Sequence, residues 1–299
     1  MAVTEAPAAA VVAVPAPDVL DPERGSLRWA GIRRRLVLGI PLGFVALLIL
    51  ACFVGPLVLP LHPPVGGDIL NSALPPGSPS HPLGTDINGN DVLSRLLHGG
   101  QSSLLVAISV NLIGLVVGGG IGALSGYAGG WVDNVIMRVL DVFIAFPSLV
   151  LTIAIAQALG PSLPNTILAL TAFSIPAVAR VARSATLRIK TMPFVQAAEL
   201  SGSPAWRILL RHIAPNITPQ MLNFAMLGMG IVIVTEGALS FLGLGIPAPN
   251  PSWGNMIYEG QQSMSATPLL VLWPSLALLA TVLSFNLLGE NIRDEMSGR

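Results

Sequence analysis

Charged residues are scarce in this chain of 299 residues: they make up 10% of the sequence, whereas 53% of it is hydrophobic. A soluble globular domain typically contains about a quarter Asp, Glu, Lys and Arg. The shortage of charge therefore excludes an ordinary soluble surface and predicts an integral membrane protein.

Several kinds of chemistry are also missing. The lone cysteine, Cys52, lies in an apolar run and cannot form an internal disulfide. No G-x-x-x-x-G-K-[ST] motif is present, so the chain cannot hold ATP phosphates in the P-loop manner. The histidines between residues 61 and 100, together with Asp86, match no compact metal-ligand spacing. We therefore expect no catalytic residue, no cofactor and no metal site in this chain.

Six apolar runs are each about long enough to cross a bilayer as a helix, which takes about 20 residues. They are residues 36–59, 103–127, 135–159, 165–182, 221–242 and 268–288. The prediction is an all-α membrane protein with six transmembrane helices. Its parts are a disordered tail with a basic flank (1–35), a first helix (36–60), an outward segment (61–102), a helical core (103–290) and a cytoplasmic tail (291–299).

The basic residues give the orientation. If both termini are cytoplasmic, fourteen of the fifteen Lys and Arg residues lie on or beside the cytoplasmic face, and only Arg95 lies outside. Cytoplasmic loops carry such an excess of positive charge in membrane proteins. The sequence therefore predicts that both ends and the arginine-rich stretch around residues 180–211 are cytoplasmic.

A glycine strip marks the second predicted span, where glycine recurs every four residues at Gly114, Gly118, Gly122 and Gly126. Small residues in a row along one face of a helix allow another helix to approach closely. We interpret the strip mainly as a packing surface, within this chain or against a second membrane subunit; a flexible gate is the alternative.

Few ionisable residues fall within the predicted spans, and such residues are candidates for function. Arg138 and Asp141 are three residues apart at the start of the third run, which favours a local ion pair. Glu236 lies deeper, in an apolar run, so we expect it to face protein or water. A structural network is favoured over direct contact with a substrate.

Residues 191–217 form a polar island whose pattern predicts two short helices with a bend. Small and apolar residues recur at helical spacing before the bend, at Phe194, Ala197, Ala198 and Ser201. Gly202 occupies the position of a left-handed helix cap. We expect Ser203 to cap the second helix, Pro204 to occupy its first turn and Pro215 to end it. Apolar residues form a stripe on that second helix at Trp206, Leu209, Leu210 and Ile213.

Pattern alone leaves two interpretations of this island: an amphipathic helix lying on the membrane surface, or a helix that inserts into a groove on a partner protein. The motif from Gln196 through Gly202 to Pro215 resembles the coupling loop of membrane subunits of bacterial ABC importers, which docks on the ATPase subunit. The resemblance implies that this loop contacts an ATPase through Gln196, Ala197, Ala198, Glu199, Gly202, Ile208, His212 and Pro215.

Two outward stretches carry further motifs, HPLGTD at residues 81–86 and PSWG at residues 251–254, and ALSFLGLG lies at 238–245. Their Pro and Gly content indicates ordered loops with an exposed Trp253. Together these motifs resemble the C-type permease subunit of dipeptide and oligopeptide ABC importers, a family that includes nickel permeases. The resemblance covers most of the chain from about residue 35. It implies a permease core at 103–290 and a docking surface for a binding protein that includes His81, Asp86 and Trp253.

The same resemblance implies a multi-pass protein of the bacterial cytoplasmic membrane that forms half of a pathway for short peptides. Its expected partners are a second, B-type permease, two ATPases that bind ATP and Mg²⁺, and an extracytoplasmic binding protein. Nickel import is the alternative within the family. A secondary transporter driven by protons through Glu236 and Asp141 is a third possibility, although no inverted repeats or broken helix pairs are visible in the sequence.

Overall fold

The computed structural model describes residues 39–297, with side chains described for residues 39–291. The predicted tail 1–35 with its basic flank, and the side chains after Asn291, lie outside the described residues. In the described part of the chain every regular element is a helix, which confirms the predicted all-α class.

Twelve α-helices are described. In order they are α1 Gly39–Phe53, α2 Gly55–Val58, α3 Val92–Ile113, α4 Gly119–Ala128, α5 Gly130–Ile144, α6 Ser148–Leu159, α7 Leu163–Lys190, α8 Pro193–Leu200, α9 Ala205–Ile208, α10 Ala214–Phe241, α11 Trp253–Gln261 and α12 Leu269–Ser297. Two π-helical turns, Gly114–Gly118 and Leu209–Ile213, join α3 to α4 and α9 to α10.

Four helical spans within residues 39–297 are long and apolar enough to cross a membrane: Val92–Ala128, Leu163–Lys190, Ala205–Phe241 and Leu269–Asn291. The first two contain the predicted runs 103–127 and 165–182, and the other two contain all but one residue of the runs 221–242 and 268–288. The first run, predicted as one helix over 36–60, is divided in its described part between α1 and the short α2, with a break at Val54. At the C-terminal end, α12 continues to Ser297 and so extends into the residues predicted as a tail.

The third predicted run, 135–159, is not one straight helix. It comprises α5 and α6, whose axes differ by 83°. Pro147 lies at the break, and a proline disfavours helical geometry in the residue before it. Counted as one span, this bent pair brings the number of candidate spans in residues 39–297 to five.

The helices pack into one bundle with two hydrophobic cores. Helix α4 packs along α7, α10 packs against α3 and α12, and α11 contacts both α10 and α12. The larger core includes the fully buried side chains of Leu104, Leu170 and Ile233. The smaller core lies beside α8 and α9 and includes Val195 and Ile208. The second core therefore fastens the short helices of residues 191–217 to the bundle.

The segment between α2 and α3 is a hydrogen-bonded loop. Asp91 caps α3 by accepting a hydrogen bond from the Ser94 N–H at 2.8 Å. The Ser72 hydroxyl donates to the Ile87 carbonyl at 2.7 Å, and the Gly67 N–H donates to the Asn90 side chain at 2.8 Å. These bonds tie residues 67 and 72 to the residues just before α3 and fix the start of that helix.

Candidate functional site

The bend between α8 and α9 is built as the sequence predicts. Gly202 has a φ of +74°, in the left-handed region that favours glycine. The Gly202 N–H donates to the Glu199 carbonyl at 3.0 Å, and the Ser203 N–H donates to the Ala198 carbonyl at 3.1 Å. This pair of bonds is the Schellman motif, which satisfies carbonyl groups at the end of a helix. A side chain at residue 202 would meet no atom within 4 Å, so only the backbone conformation requires glycine there.

Buried apolar side chains hold this hairpin, α8 with α9, to the bundle. Val195 and Ile208 are each at most 1% exposed, and both pack in the smaller core. The centroids of the Phe194 ring in α8 and of the His212 ring in the π-helical turn after α9 lie 6.4 Å apart. Ile208, one of the residues expected to contact an ATPase, is therefore buried in the smaller core and does not lie on the surface of the hairpin.

Other members of the expected coupling set do face outward. The exposed residues are Gln196, Ala197, Glu199, Gly202 and Pro215, and Ala198 and His212 are half-buried. Leu200, which the sequence interpretation did not single out, is 90% exposed at the end of α8. The hairpin thus presents a projecting surface with a large apolar side chain beside the Gly202 bend.

The second arm of the hairpin differs from the prediction. The Ser203 side chain makes no capping bond, and Pro204 is the residue that precedes the first turn of α9. Pro215 does not end the helix, because α9 continues through the π-helical turn into α10. Proline cannot donate a backbone hydrogen bond, and its ring crowds the carbonyl group four residues earlier. The wider π turn just before Pro215 accommodates the ring and the missing hydrogen bond.

The apolar stripe on this arm is divided between two surroundings. Ile213 is buried in the smaller core, whereas Trp206 and Leu210 are 60% and 67% exposed. Trp206 and Leu210 line an open apolar groove of about 600 Å³ between α9–α10 and α4. The stripe is therefore not one continuous buried face.

The glycine strip lies against α7. An added Cβ at Gly118 would lie 2.6 Å from the Ile175 carbonyl oxygen, and one at Gly126 would lie 2.9 Å from the Arg183 carbonyl oxygen. Gly122 lies closer still to the Ala179 carbonyl oxygen, whereas a Cβ at Gly114 would meet the Ser174 hydroxyl at 2.5 Å. Gly118, Gly122 and Gly126 thus let the backbone of α4 and of the π turn before it approach the backbone of α7 within this chain.

The polar residues of α5 have different partners from those predicted. Asp141 accepts a hydrogen bond from the Arg180 guanidinium of α7 at 2.6 Å and is not paired with Arg138, so the predicted local pair is wrong. Arg138 is exposed and has no hydrogen-bond or ionic partner among the described residues. A second pair joins the same helices, because Arg183 binds Asp133 through two nitrogens at 2.5 and 2.6 Å. Ion pairs therefore fasten α5 to α7.

Glu236 lies in a buried network, as expected. It is 1% exposed and accepts hydrogen bonds from the hydroxyls of Ser103 at 2.8 Å and Ser240 at 2.7 Å. The Ser103 hydroxyl in turn accepts a bond from the backbone N–H of Trp253 at 3.3 Å. The carboxylate thus links α3, α10 and the start of α11, and it faces protein on all sides.

The residues predicted to dock a binding protein are mostly buried. The expectation that Trp253 is exposed is wrong: it is 1% exposed, and its indole N–H donates to the Leu96 carbonyl at 3.1 Å. It begins a helix packed against α3, not a free loop, because Ser252 caps α11. Asp86 is 7% exposed and binds the Asn90 amide. His81 is largely buried and pairs with the Asp91 carboxylate at 3.0 Å.

An ion pair that the sequence interpretation missed joins the two segments that were predicted to face outward. Arg95, which is 2% exposed, contacts Asp86 at 3.1 Å and Glu259 of α11 at 2.7 Å. Burial raises the pKa of Glu259, and the Arg95 guanidinium opposes that shift. More than 160 residues separate Arg95 from Glu259, so no local pattern could have paired them. Among the described residues no cluster of three or more His, Cys, Asp or Glu side chains could hold a metal ion.

Comparison with known proteins identifies the family. The family model described as the inner membrane component of binding-protein-dependent transport systems matches residues 118–296. The chain belongs to this family. It is a multi-pass protein of the bacterial inner membrane and a transport subunit that works with other components of an ABC importer.

Named relatives extend the match toward the N-terminus. The chain is 42% identical to the glutathione transport system permease protein of Pectobacterium atrosepticum over 219 residues, which is 73% of each chain. It is 37% identical to the dipeptide transport system permease protein of Alkalihalophilus pseudofirmus over 219 residues, 73% of this chain and 72% of the relative. A glutathione permease of Escherichia coli is 40% identical over 216 residues, 72% of this chain and 71% of the relative.

Proposed function

We propose that this chain forms one half of the transmembrane pathway of an ABC importer for short peptides. The projecting α8–α9 hairpin is the main support for the coupling part of this proposal. It exposes Gln196, Ala197 and Leu200 around a rigid Schellman bend, while Val195 and Ile208 anchor it in the core. A hairpin that is rigid at its base and apolar at its tip can insert into a groove on an ATPase and transmit its motion to the bundle.

The partners follow from what the chain lacks. It has no P-loop, so ATP and Mg²⁺ bind two ATPase subunits on the cytoplasmic side. A second, B-type permease completes the pathway, and an extracytoplasmic binding protein delivers the peptide. The family description, which refers to binding-protein-dependent transport, supports this assembly.

The proposed topology has six spans with both termini in the cytoplasm, and it rests on the distribution of arginines. It places the hairpin inside the cell, where an ATPase can reach it. Labelling of Ser203→Cys, in a Cys52→Ser background, checks this: a membrane-impermeant thiol reagent should label it in inside-out vesicles and leave it unlabelled in intact cells. Labelling in intact cells would reverse the topology.

The proposed cargo is a short peptide, as the names of the relatives suggest. Uptake of labelled dipeptides and of nickel should be compared in cells that lack this chain, with and without its return. The proposal expects dipeptide uptake to return with the chain and nickel uptake to be unaffected. Restored nickel uptake with unchanged peptide uptake would identify the protein as a nickel permease.

A further inference from the structure

We propose that the break between α5 and α6, together with the Asp141–Arg180 pair, lines the water-filled pathway and that its arginines contact carboxylate groups of the peptide in transit. This inference rests on the proposed function and assigns a cargo-contacting surface to it. Two independent features of the same face carry it: an interrupted backbone and accessible charges.

The interrupted backbone is exposed. Every residue from 142 to 150 has an exposed side chain, including Val142 at 61% and Phe146 at 53%. At the start of α6, the N–H groups of residues 148–150 have no hydrogen-bond acceptor among the described residues, since Pro147 provides no side-chain cap. Non-helical backbone at membrane depth is tolerated only where it is covered by protein or lines a water-filled cavity. This face therefore does not contact lipid.

The charges on this face lead to the same conclusion. Arg180 and Asp141 are 49% and 44% exposed although they bind each other. Arg138 is exposed and unpaired within residues 39–291. Arg138 and Asp141 lie within the predicted run 135–159, and Arg180 lies within the predicted run 165–182. Charged side chains within a membrane span almost always face the interior of a bundle or a water-filled cavity.

The charge of this face selects the ligand group. Two arginines and one aspartate leave an excess of one positive charge, and Arg138 has its donors free. A guanidinium binds a carboxylate through paired hydrogen bonds, so the free Arg138 suits the C-terminal or side-chain carboxylate of a peptide. Asp133 and Arg183, the neighbouring charged pair, satisfy each other and add no net charge.

Cysteine accessibility tests the pathway assignment. The reporter is Val142→Cys, and the control is Leu47→Cys on the wholly apolar helix α1, where the side chain is 64% exposed. Both are made in a Cys52→Ser background and in the assembled transporter, in inside-out vesicles. A trimethylammonium methanethiosulfonate reagent should modify the reporter roughly tenfold faster than the control, because only the reporter meets water. A di-glutamate peptide should slow the modification.

Charge removal tests the ligand class. Arg138→Gln should lower uptake of di-glutamate roughly tenfold and leave uptake of di-lysine unchanged, since a charge-assisted contact is lost. The matched control is Arg188→Gln, an exposed arginine of α7 that binds Gln220 instead. If Arg138→Gln lowers uptake of both peptides equally, the carboxylate contact is refuted.

Two outcomes of the cysteine experiment would refute the assignment of this face to the pathway. It fails if the cysteine at residue 142 stays unreactive, with and without ATP, in a transporter that still imports dipeptides. It also fails if that cysteine cross-links to the second permease in every state, because the face would then be a subunit interface. If the wild-type transporter imports no peptide at all, the proposed function fails instead.

Discussion

The glycine strip gives the sharpest test of packing, because adjacent glycines differ in their surroundings. A Cβ added at Gly122 would overlap the Ala179 carbonyl oxygen and lie 2.8 Å from the Ala182 Cβ. At Gly120, two residues earlier in the same helix, a Cβ would meet no atom within 4 Å. The perturbation is therefore Gly122→Ala, with Gly120→Ala as the matched control.

The control isolates the packing energy. Both substitutions gain the same helix propensity, about 1 kcal/mol from replacing glycine with alanine. Only Gly122→Ala forces α4 and α7 apart, by roughly 1 Å if ordinary van der Waals contact is to be restored. Overpacking of this kind costs about 1–3 kcal/mol. We expect Gly122→Ala to be less stable than Gly120→Ala by about that amount.

Thermal unfolding of the purified transporter in detergent measures this difference, with loss of the monodisperse peak in size-exclusion chromatography as the readout. Gly120→Ala should melt at or slightly above the temperature of the wild type, and Gly122→Ala should melt below both. Equal melting temperatures for the two variants would refute the close contact between the backbones of α4 and α7.

Three further predictions concern other sites. Gly202→Val and Gly243→Val both place a branched residue at a φ near +75° without a clash at Cβ, and each should lower the stability by about 1–2 kcal/mol. Only Gly202→Val should reduce the recovery of the ATPases with the purified complex. Equal recovery for the two variants would argue against docking at the hairpin. Glu236→Leu should lower the melting temperature more than Glu236→Gln, because Leu leaves the Ser103 and Ser240 hydroxyls without an acceptor whereas Gln keeps one acceptor oxygen. Each buried hydroxyl left without an acceptor costs about 1–3 kcal/mol. The reverse order of melting temperatures would contradict the network. Burial raises the pKa of Glu259 above that of an ordinary glutamate, so the stability of the folded protein should fall as the pH rises from the ordinary pKa through the raised pKa. Glu259→Gln should flatten this pH dependence in melting curves. An unchanged slope would mean that other groups cause the pH dependence.

Local features of the fold could be predicted from the sequence. The apolar runs located the long spans, and Gly202 was identified as a left-handed cap from its position after a helical stripe. The glycine repeat indicated a close helix contact and left its partner open. These features depend on residues within one or two helical turns of each other, so a linear pattern contains the information.

Features that depend on distant residues were missed. Asp141 was assigned to Arg138, its neighbour in sequence, whereas α7 brings Arg180 to it. Trp253 was interpreted as a loop residue because Pro and Gly surround it, yet α3 and α11 bury it. The sequence predicts a helix end at Pro215, where a π turn accommodates the proline, and it does not predict the break at Pro147. In each case tertiary packing decides between locally similar options.

ATP-driven peptide uptake by the reconstituted transporter distinguishes an ABC importer from a proton-driven transporter. The assembled transporter, reconstituted in liposomes with the binding protein and a labelled dipeptide, is supplied with ATP on the ATPase side or with a proton gradient alone. An ABC importer should accumulate the dipeptide with ATP only and should lose this activity when this chain is omitted. Accumulation driven by the proton gradient without ATP would show that the protein is not part of an ABC importer.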